Sequence, residues 1–378
     1  MFKKSLAIPC AVAAALGAWG AALADVPMPT VGGKIYADIS NIDQTNNGTD
    51  TAASGTGVDV KRFYLIVNEN FDSIWSAKLE SDATYNSVSG STCTGSGTTL
   101  ACSSSTTGQQ VDVYMKNAWL QATLSNAFWV RLGESDMPWI PFDEGVYNFR
   151  FVENTLIDRL HFGNSADWGL HVGGDIAGKV LGYQVSLVNG AGYKNPTRSK
   201  DMDVEGRLNF QPLPGVVLAV GGYSGKLGND KYGSTAPTIY HTANRFDALA
   251  AYTNSGFRVG VEYFAANDWT TVTKTASDKA DGTSVFASYD FTPMVGVFGR
   301  WDQAKMSEDL VPGLKDQYFN LGVVTHPRKN VDVALVYKHE KIDGGTSTTA
   351  TYSTTDGSAF SETDGKYDEI GVFVQVAF

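Results

Sequence analysis

Sixteen segments of this chain alternate apolar and polar side chains, and the connections between them alternate between short and long. Alternation with a period of two is the mark of a strand with two unlike faces. The segments are Gly33–Gln44, Asp59–Glu69, Ile74–Asn86, Gln110–Thr123, Ala127–Glu134, Ala166–Ile176, Val180–Gly190 and Asp201–Gln211. They continue as Gly215–Gly225, Asn244–Thr253, Phe257–Ala266, Thr283–Phe291, Met294–Gln303, Gln317–Thr325, Val331–Lys341 and Lys366–Phe378. Tight turns fall near Asn70-Phe71-Asp72, Ser125-Asn126, Gly178, Pro212-Leu213-Pro214, Asn254-Ser255-Gly256, Thr292-Pro293 and Pro327-Arg328-Lys329. Long polar stretches separate them: Thr45–Val58, Ser87–Gln109, Ser135–Ser165, Ala191–Lys200, Lys226–Ala243, Asn267–Gly282, Ala304–Asp316 and Ile342–Gly365. Seven short turns and eight long loops are what an even-stranded barrel needs when both chain ends lie on the short-turn side. A soluble sandwich has no reason to sort its connections by length. The expected class is all-β, a 16-stranded antiparallel transmembrane β-barrel.

The two ends of the chain agree. Lys3 and Lys4 precede an apolar run from Leu6 to Ala15, and Ala22-Leu23-Ala24 offers a small-residue cleavage site. Residues 1–24 therefore read as a secretory signal peptide, and residues 25–378 as one barrel domain. No later run is long and apolar enough for a membrane helix, so a membrane can be crossed only by strands closed on themselves. At the other end Ile370, Val372, Val374, Val376 and Phe378 share one face of a strand that stops on the aromatic ring. That ending resembles the assembly signal of Gram-negative outer-membrane barrels, which makes Phe378 the residue for the assembly machinery to read, with closure expected near Ile35 and Tyr36.

The formal net charge of −11 argues against nucleic acid as a partner. Outside the signal only Cys93 and Cys102 occur, in a Ser/Thr/Gly-rich stretch, and an even pair in an exported chain reads as a local disulfide. The five histidines form no HExxH, no paired metal spacing and no haem motif, so neither metal nor cofactor is expected. His161 lies near Ser165 and Asp158 in sequence, but such a trio is common by chance, and the chain is expected not to be an enzyme.

The third long connection, Ser135–Ser165, is too apolar for a floppy surface loop and too long for an ordinary one. A short helical piece is expected at Val152–Leu160. Its charges are Asp136, Asp143, Glu144, Arg150, Glu153, Asp158 and Arg159, with Glu134 at the preceding strand end. Strand parity sends Arg62, Lys78, Arg131, Arg207, Arg258, Arg300 and Lys338 to the interior. The acids Glu80, Asp82, Asp203, Glu205, Asp247, Glu262, Asp302 and Glu340 should share that face. Arginines on a wall facing acids on a loop would set a transverse field that sieves polar solutes.

Signal, meander, terminal Phe and third loop together resemble the trimeric Gram-negative porins over essentially the whole mature chain. Lys61-Arg62-Phe63-Tyr64-Leu65, Phe71-Asp72-Ser73-Ile74-Trp75 and Phe291-Thr292-Pro293-Met294 are also similar to the phosphate-selective (O and P type) porin group. The resemblance implies a homotrimer in the outer membrane, whose third extracellular loop folds inward to form a constriction. The implied function is passive diffusion of ions and small hydrophilic solutes, with membrane lipids around the barrel. This chain departs from the phosphate-selective group in its acidic loop and negative charge, which point to a mild cation preference. A substrate-selective anion or phosphate channel, and a non-conducting surface barrel acting as adhesin or receptor, are the alternatives.

Overall fold

The structure is a computed structural model that describes residues 28–51, 53–94, 101–344, 352–353, 359–360 and 364–378. The expected signal peptide lies outside the described residues. Sixteen strands form one closed antiparallel ring. They are β1 (Thr30–Asn46), β2 (Gly55–Asn70), β3 (Trp75–Thr94), β4 (Ala101–Ser125), β5 (Phe128–Asp136), β6 (Ala166–Ile176), β7 (Leu181–Val188) and β8 (Asp203–Phe210). The second half comprises β9 (Val216–Gly225), β10 (Ala243–Asn254), β11 (Phe257–Asn267), β12 (Lys279–Thr292), β13 (Val295–Lys305), β14 (Lys315–Arg328), β15 (Val331–Asp343) and β16 (Gly365–Ala377). Each strand pairs with its sequence neighbours, and β1 pairs with both β2 and β16.

Parity sorts the side chains as the sequence pattern demands. On β14, Phe319, Leu321 and Val323 are exposed while Tyr318, Asn320 and Val324 are buried. On β11, Val259, Val261 and Tyr263 face out against buried Glu262 and Phe264. Exposed aromatics fall at two levels. Tyr263, Trp301, Phe319 and Tyr337 lie toward the long-loop end, and Phe210, Tyr252, Phe257, Tyr289 and Phe291 toward the short-turn end. Leu218, Val220, Val285, Leu321, Val323 and Leu335 are exposed between them. An apolar outer belt between two aromatic girdles is the surface of a transmembrane barrel. Tyr36, by contrast, turns inward and is buried.

Two connections differ from the sequence reading. The stretch Ser87–Gln109, read as a polar loop, continues the β3–β4 ladder as far as Thr94 and Ala101. At 20 and 25 residues, β3 and β4 far exceed the roughly 9–11 needed to cross a bilayer, so the hairpin stands clear of it. Its register sets Cys93 opposite Cys102. Pro327, read as part of a turn, lies within β14. The ladder to β15 is irregular between Thr325 and Arg328, and such an irregularity accommodates the missing proline donor.

Closure occurs where the terminal strand predicts. Val376 faces Ile35 and Gln375 faces Tyr36. Phe378 exchanges backbone hydrogen bonds with Gly33 at 2.9 and 3.0 Å. A Cβ on Gly33 would lie 2.5 Å from the Phe378 ring and 2.8 Å from the Tyr64 carbonyl oxygen, so the last residue can seat only over a glycine. Gly33→Val and deletion of Phe378 should each reduce the heat-modifiable, folded fraction in outer-membrane preparations. Wild-type levels of folded barrel in both variants would contradict this account of closure.

Candidate functional site in the barrel interior

The third connection carries the densest set of interior contacts. It contains α1 (Ile140–Tyr147) and one turn, α2 (Leu156–Arg159), so the expected piece at Val152–Leu160 is helical only in its second half. The longer α1 escaped the sequence reading. Pro141 in its first turn lacks a donor that would have no partner there anyway, and Asn148 ends it in a left-handed conformation at φ 71°.

Trp139, Ile140, Tyr147, Phe149, Phe151, Leu156, Ile157 and Phe162 are all buried, and they meet rings on the strands. Phe149 stacks on Phe298 of β13 at 4.1 Å, Phe162 lies 5.0 Å from Phe264 of β11, and Tyr147 lies 5.5 Å from Phe286 of β12. Polar contacts follow the same walls. Trp139 donates its backbone N–H to Glu205 and its indole N–H to Glu262, both at 2.9 Å. Arg207 and Arg258 donate to the carbonyl oxygens of Pro138 and Val146.

The wall charges face inward as parity requires, but the expected polarity of the field is not what they build. A basic residue of the loop enters the wall alongside its acids Asp143 and Glu153. Arg159 is buried among Asp316 at 2.5 Å, Asp302 at 3.3 Å and Glu340. Arg300 also binds Asp302, at 2.9 Å. Lys338 is buried between Glu153 at 3.3 Å and Glu369 at 2.9 Å. Arg245, which the sequence reading did not single out, bridges Asp247, Glu205 and the Phe162 carbonyl oxygen. The remaining loop acids are also engaged. Arg150 holds Glu144 at 2.5 Å and Asp158 at 3.5 Å, and Asp143 is buried beside Glu262. Asp136 accepts from Asn117 at 3.1 Å, while Glu134 is buried with no hydrogen-bond partner among the described residues.

The opposite strip of wall is different. Arg62 pairs with Asp82 at 2.8 Å and Lys78 with Glu80, and both cations stay partly accessible. Arg131 lies between the rings of Trp119 at 4.1 Å and Trp129 at 4.7 Å, bonded to Gln121 and Ser135. Lys34 lies over Tyr36, Lys116 over Tyr64, and Lys194, after β7, over Tyr114 at 4.7 Å. Among the described residues, Lys34, Lys116, Arg131 and Lys194 have no carboxylate within ion-pairing distance. The sequence reading named only Arg131 of these four; Lys116 is the extra residue of a bulge in β4, which blurs its parity.

Comparisons with solved structures follow this architecture closely. An anion-selective porin from Comamonas acidovorans superposes with a TM-score of 0.62 at 11% identity, covering 93% of this chain and 99% of that one. This chain has the porin fold. The outer membrane channel DcaP of Acinetobacter baumannii gives 0.57 at 13% identity, covering 93% and 97%. OmpF of Salmonella typhi gives 0.57 at 12%, with the same coverage. No protein-family model matches, and no curated protein matches by sequence. The porin fold thus recurs here with a sequence far from those neighbours.

Two predictions test how the third connection is held. Arg159→Met leaves the buried Asp316 and Glu340 without a cation, while Asp302 keeps Arg300, and loss of a partner from such a cluster costs roughly 3–5 kcal/mol. The variant should lose heat-modifiable mobility at a clearly lower temperature than wild type, whereas an unchanged midpoint would contradict the role given to Arg159. Burial pushes the Asp143 carboxyl up to about 7. A carboxyl raised in the folded state favours folding when protonated, so its contribution is full below the ordinary Asp range and fades as pH rises through about 7. The melting midpoint should therefore fall between pH 5 and pH 8, and Asp143→Asn should flatten that fall. An equal fall in the variant would refute the assignment.

Proposed function

We propose that this protein is a diffusion porin of the Gram-negative outer membrane, passing ions and small hydrophilic solutes through a lumen narrowed by the third connection. The observation that carries this reading is the unequal burial of the interior wall. On β10 to β16 the charges Arg245, Asp247, Glu262, Arg300, Asp302, Lys338, Glu340 and Glu369 facing the connection are buried. On β1 to β5 the cations Lys34, Arg62, Lys78, Lys116 and Arg131 stay partly accessible. Solutes would cross along that strip, between Arg62, Lys78, Lys116 and Arg131 on one side and the Arg150 region of the loop on the other.

Selectivity follows from what is left unpaired there. The acid excess of the loop suggested cation preference, but Glu144, Glu153 and Asp158 are each matched by Arg150 or Lys338. Lys34, Lys116, Arg131 and Lys194 stand without carboxylate partners among the described residues, and unmatched cations lining a narrow pore favour anions. The reading therefore adopts anion preference. Export by the residue 1–24 signal, assembly through Phe378, a Cys93–Cys102 disulfide and a homotrimer complete it. The apolar outer face of β1 to β4, with Ile39, Val58, Leu79 and Leu120 exposed, supports contact between copies.

Purified folded barrel in a planar bilayer under a KCl gradient should show stepwise conductance and a reversal potential on the chloride side. Lys116→Glu should move that potential toward potassium. A cation preference in wild type would overturn the selectivity. Absence of conductance from folded barrel would overturn the channel and favour a surface receptor.

A further inference from the structure

A cavity of about 560 Å³ opens at the long-loop end, where its lining residue Trp269 lies 5.3 Å from the Arg245 guanidinium. It is built from the end of that connection and the loops after β7, β9 and β11. His161, Asn164, Lys194, Asn195, Asn229 and Lys231 supply its polar groups. In a chain with 40 acidic residues, none of the fourteen residues lining it is Asp or Glu.

The cavity is held open by backbone anchoring. The Asp167 carboxylate accepts from the N–H groups of Gly190 and Gly192 at 2.9 and 3.1 Å, which fixes one loop. The Asp203 carboxylate accepts from Lys226 and Leu227, both at 2.8 Å, which fixes the next. Trp269 donates its indole N–H to the His161 carbonyl oxygen at 2.9 Å. His161, Leu227 and Asp268 all adopt left-handed backbone conformations, at φ 58°, 52° and 55°. Non-glycine residues rarely do so, and clustering of such strain marks a segment shaped for a purpose. Thus the nearby acids are occupied beneath the loops, and the cavity presents only cations, amides, a hydroxyl and a ring.

We propose that this cavity binds a monosaccharide-sized hydroxy-carboxylate, a sugar acid, ahead of the pore. Lys194 and Lys231 would hold the carboxylate. Lys194 is exposed on its loop, and no carboxylate lies within ion-pairing distance of it among the described residues. An incoming anion would supply the missing partner. The amides account for the hydroxyls. Asn164 makes no side-chain hydrogen bond among the described residues, and Asn195 and Asn229 use only their NH₂ groups, leaving amide oxygens free to accept. A fully deprotonated inorganic oxyanion would be repelled by those oxygens, whereas an alcohol satisfies them. Trp269 and Pro196 give the C–H face of a sugar ring something to lie against. Lys194 also joins the cavity to the wall through Tyr114, which accepts from Arg62 at 3.4 Å.

Isothermal titration of D-glucuronate into the folded barrel in detergent tests the site without requiring conduction, so it stands apart from the channel reading on which its biological use rests. One saturable site per chain is expected. Glucose, acetate and inorganic phosphate should each bind at least about tenfold more weakly, because each lacks the charge or the hydroxyls. Lys194→Gln with Lys231→Gln should weaken glucuronate by at least about tenfold, and Lys315→Gln on the outer rim should not. Lys231→Gln alone, on an exposed loop, gives the same reading if the double variant fails to fold. No saturable binding by wild type, unchanged affinity in the lysine variants, or acetate binding as well as glucuronate would each overturn the proposal.

Discussion

A strand in hydrocarbon cannot leave its edge unpaired, because each unsatisfied backbone group there costs several kcal/mol. The pairing of β1 with β16 removes the two edges this sheet would otherwise have. Everything else inherits its geometry from that closure. Once the ring is complete, parity decides which side chain faces lipid and which faces the interior, and a slip of one residue would invert both surfaces. Gly33 matters for this reason: it lets Phe378 seat at the seam without shifting the register.

The interior obeys a second constraint, which the third connection imposes. Its aromatic and aliphatic side chains displace water from the walls they cover. Charges behind them then lose solvation and must be matched, since an unpaired ion in a dry interior is far more costly than a paired one. Arg159 with its three carboxylates and Lys338 with its two are the outcome. These clusters pair the connection with the wall. A chain can therefore be strongly acidic while many of its interior acids are matched by buried cations.

The sequence made the strand number, the faces and the closure readable because a period of two survives without knowledge of neighbours. It also marked Ser135–Ser165 as unusual, since Trp139, Phe149 and Phe162 have no place in a solvated loop. What it hid were relations between distant positions. Nothing local in Arg159 announces that Asp316 and Glu340 converge on it, and counting loop acids gave the wrong weight to Glu153, whose partner lies on β15. The hairpin beyond Asn86 was hidden for another reason: its Ser, Thr and Gly residues give no apolar alternation to detect. The cavity near Lys194 is assembled from four connections, and its only local trace is the glycines at Gly190, Gly192 and Gly228.

Lys338 and Lys116 show what the covering of one wall decides. Both are lysines on inward faces, both beside an aromatic ring, Phe373 and Tyr64 respectively. Lys338 lies under the third connection and is locked between two carboxylates, so its charge is invisible to a solute. Lys116 lies on the strip without such carboxylate contacts, so its charge remains available. The same residue type is thus held between carboxylates in one place and free of them among the described residues in the other. The difference is set by which side of the barrel interior the apolar connection covers.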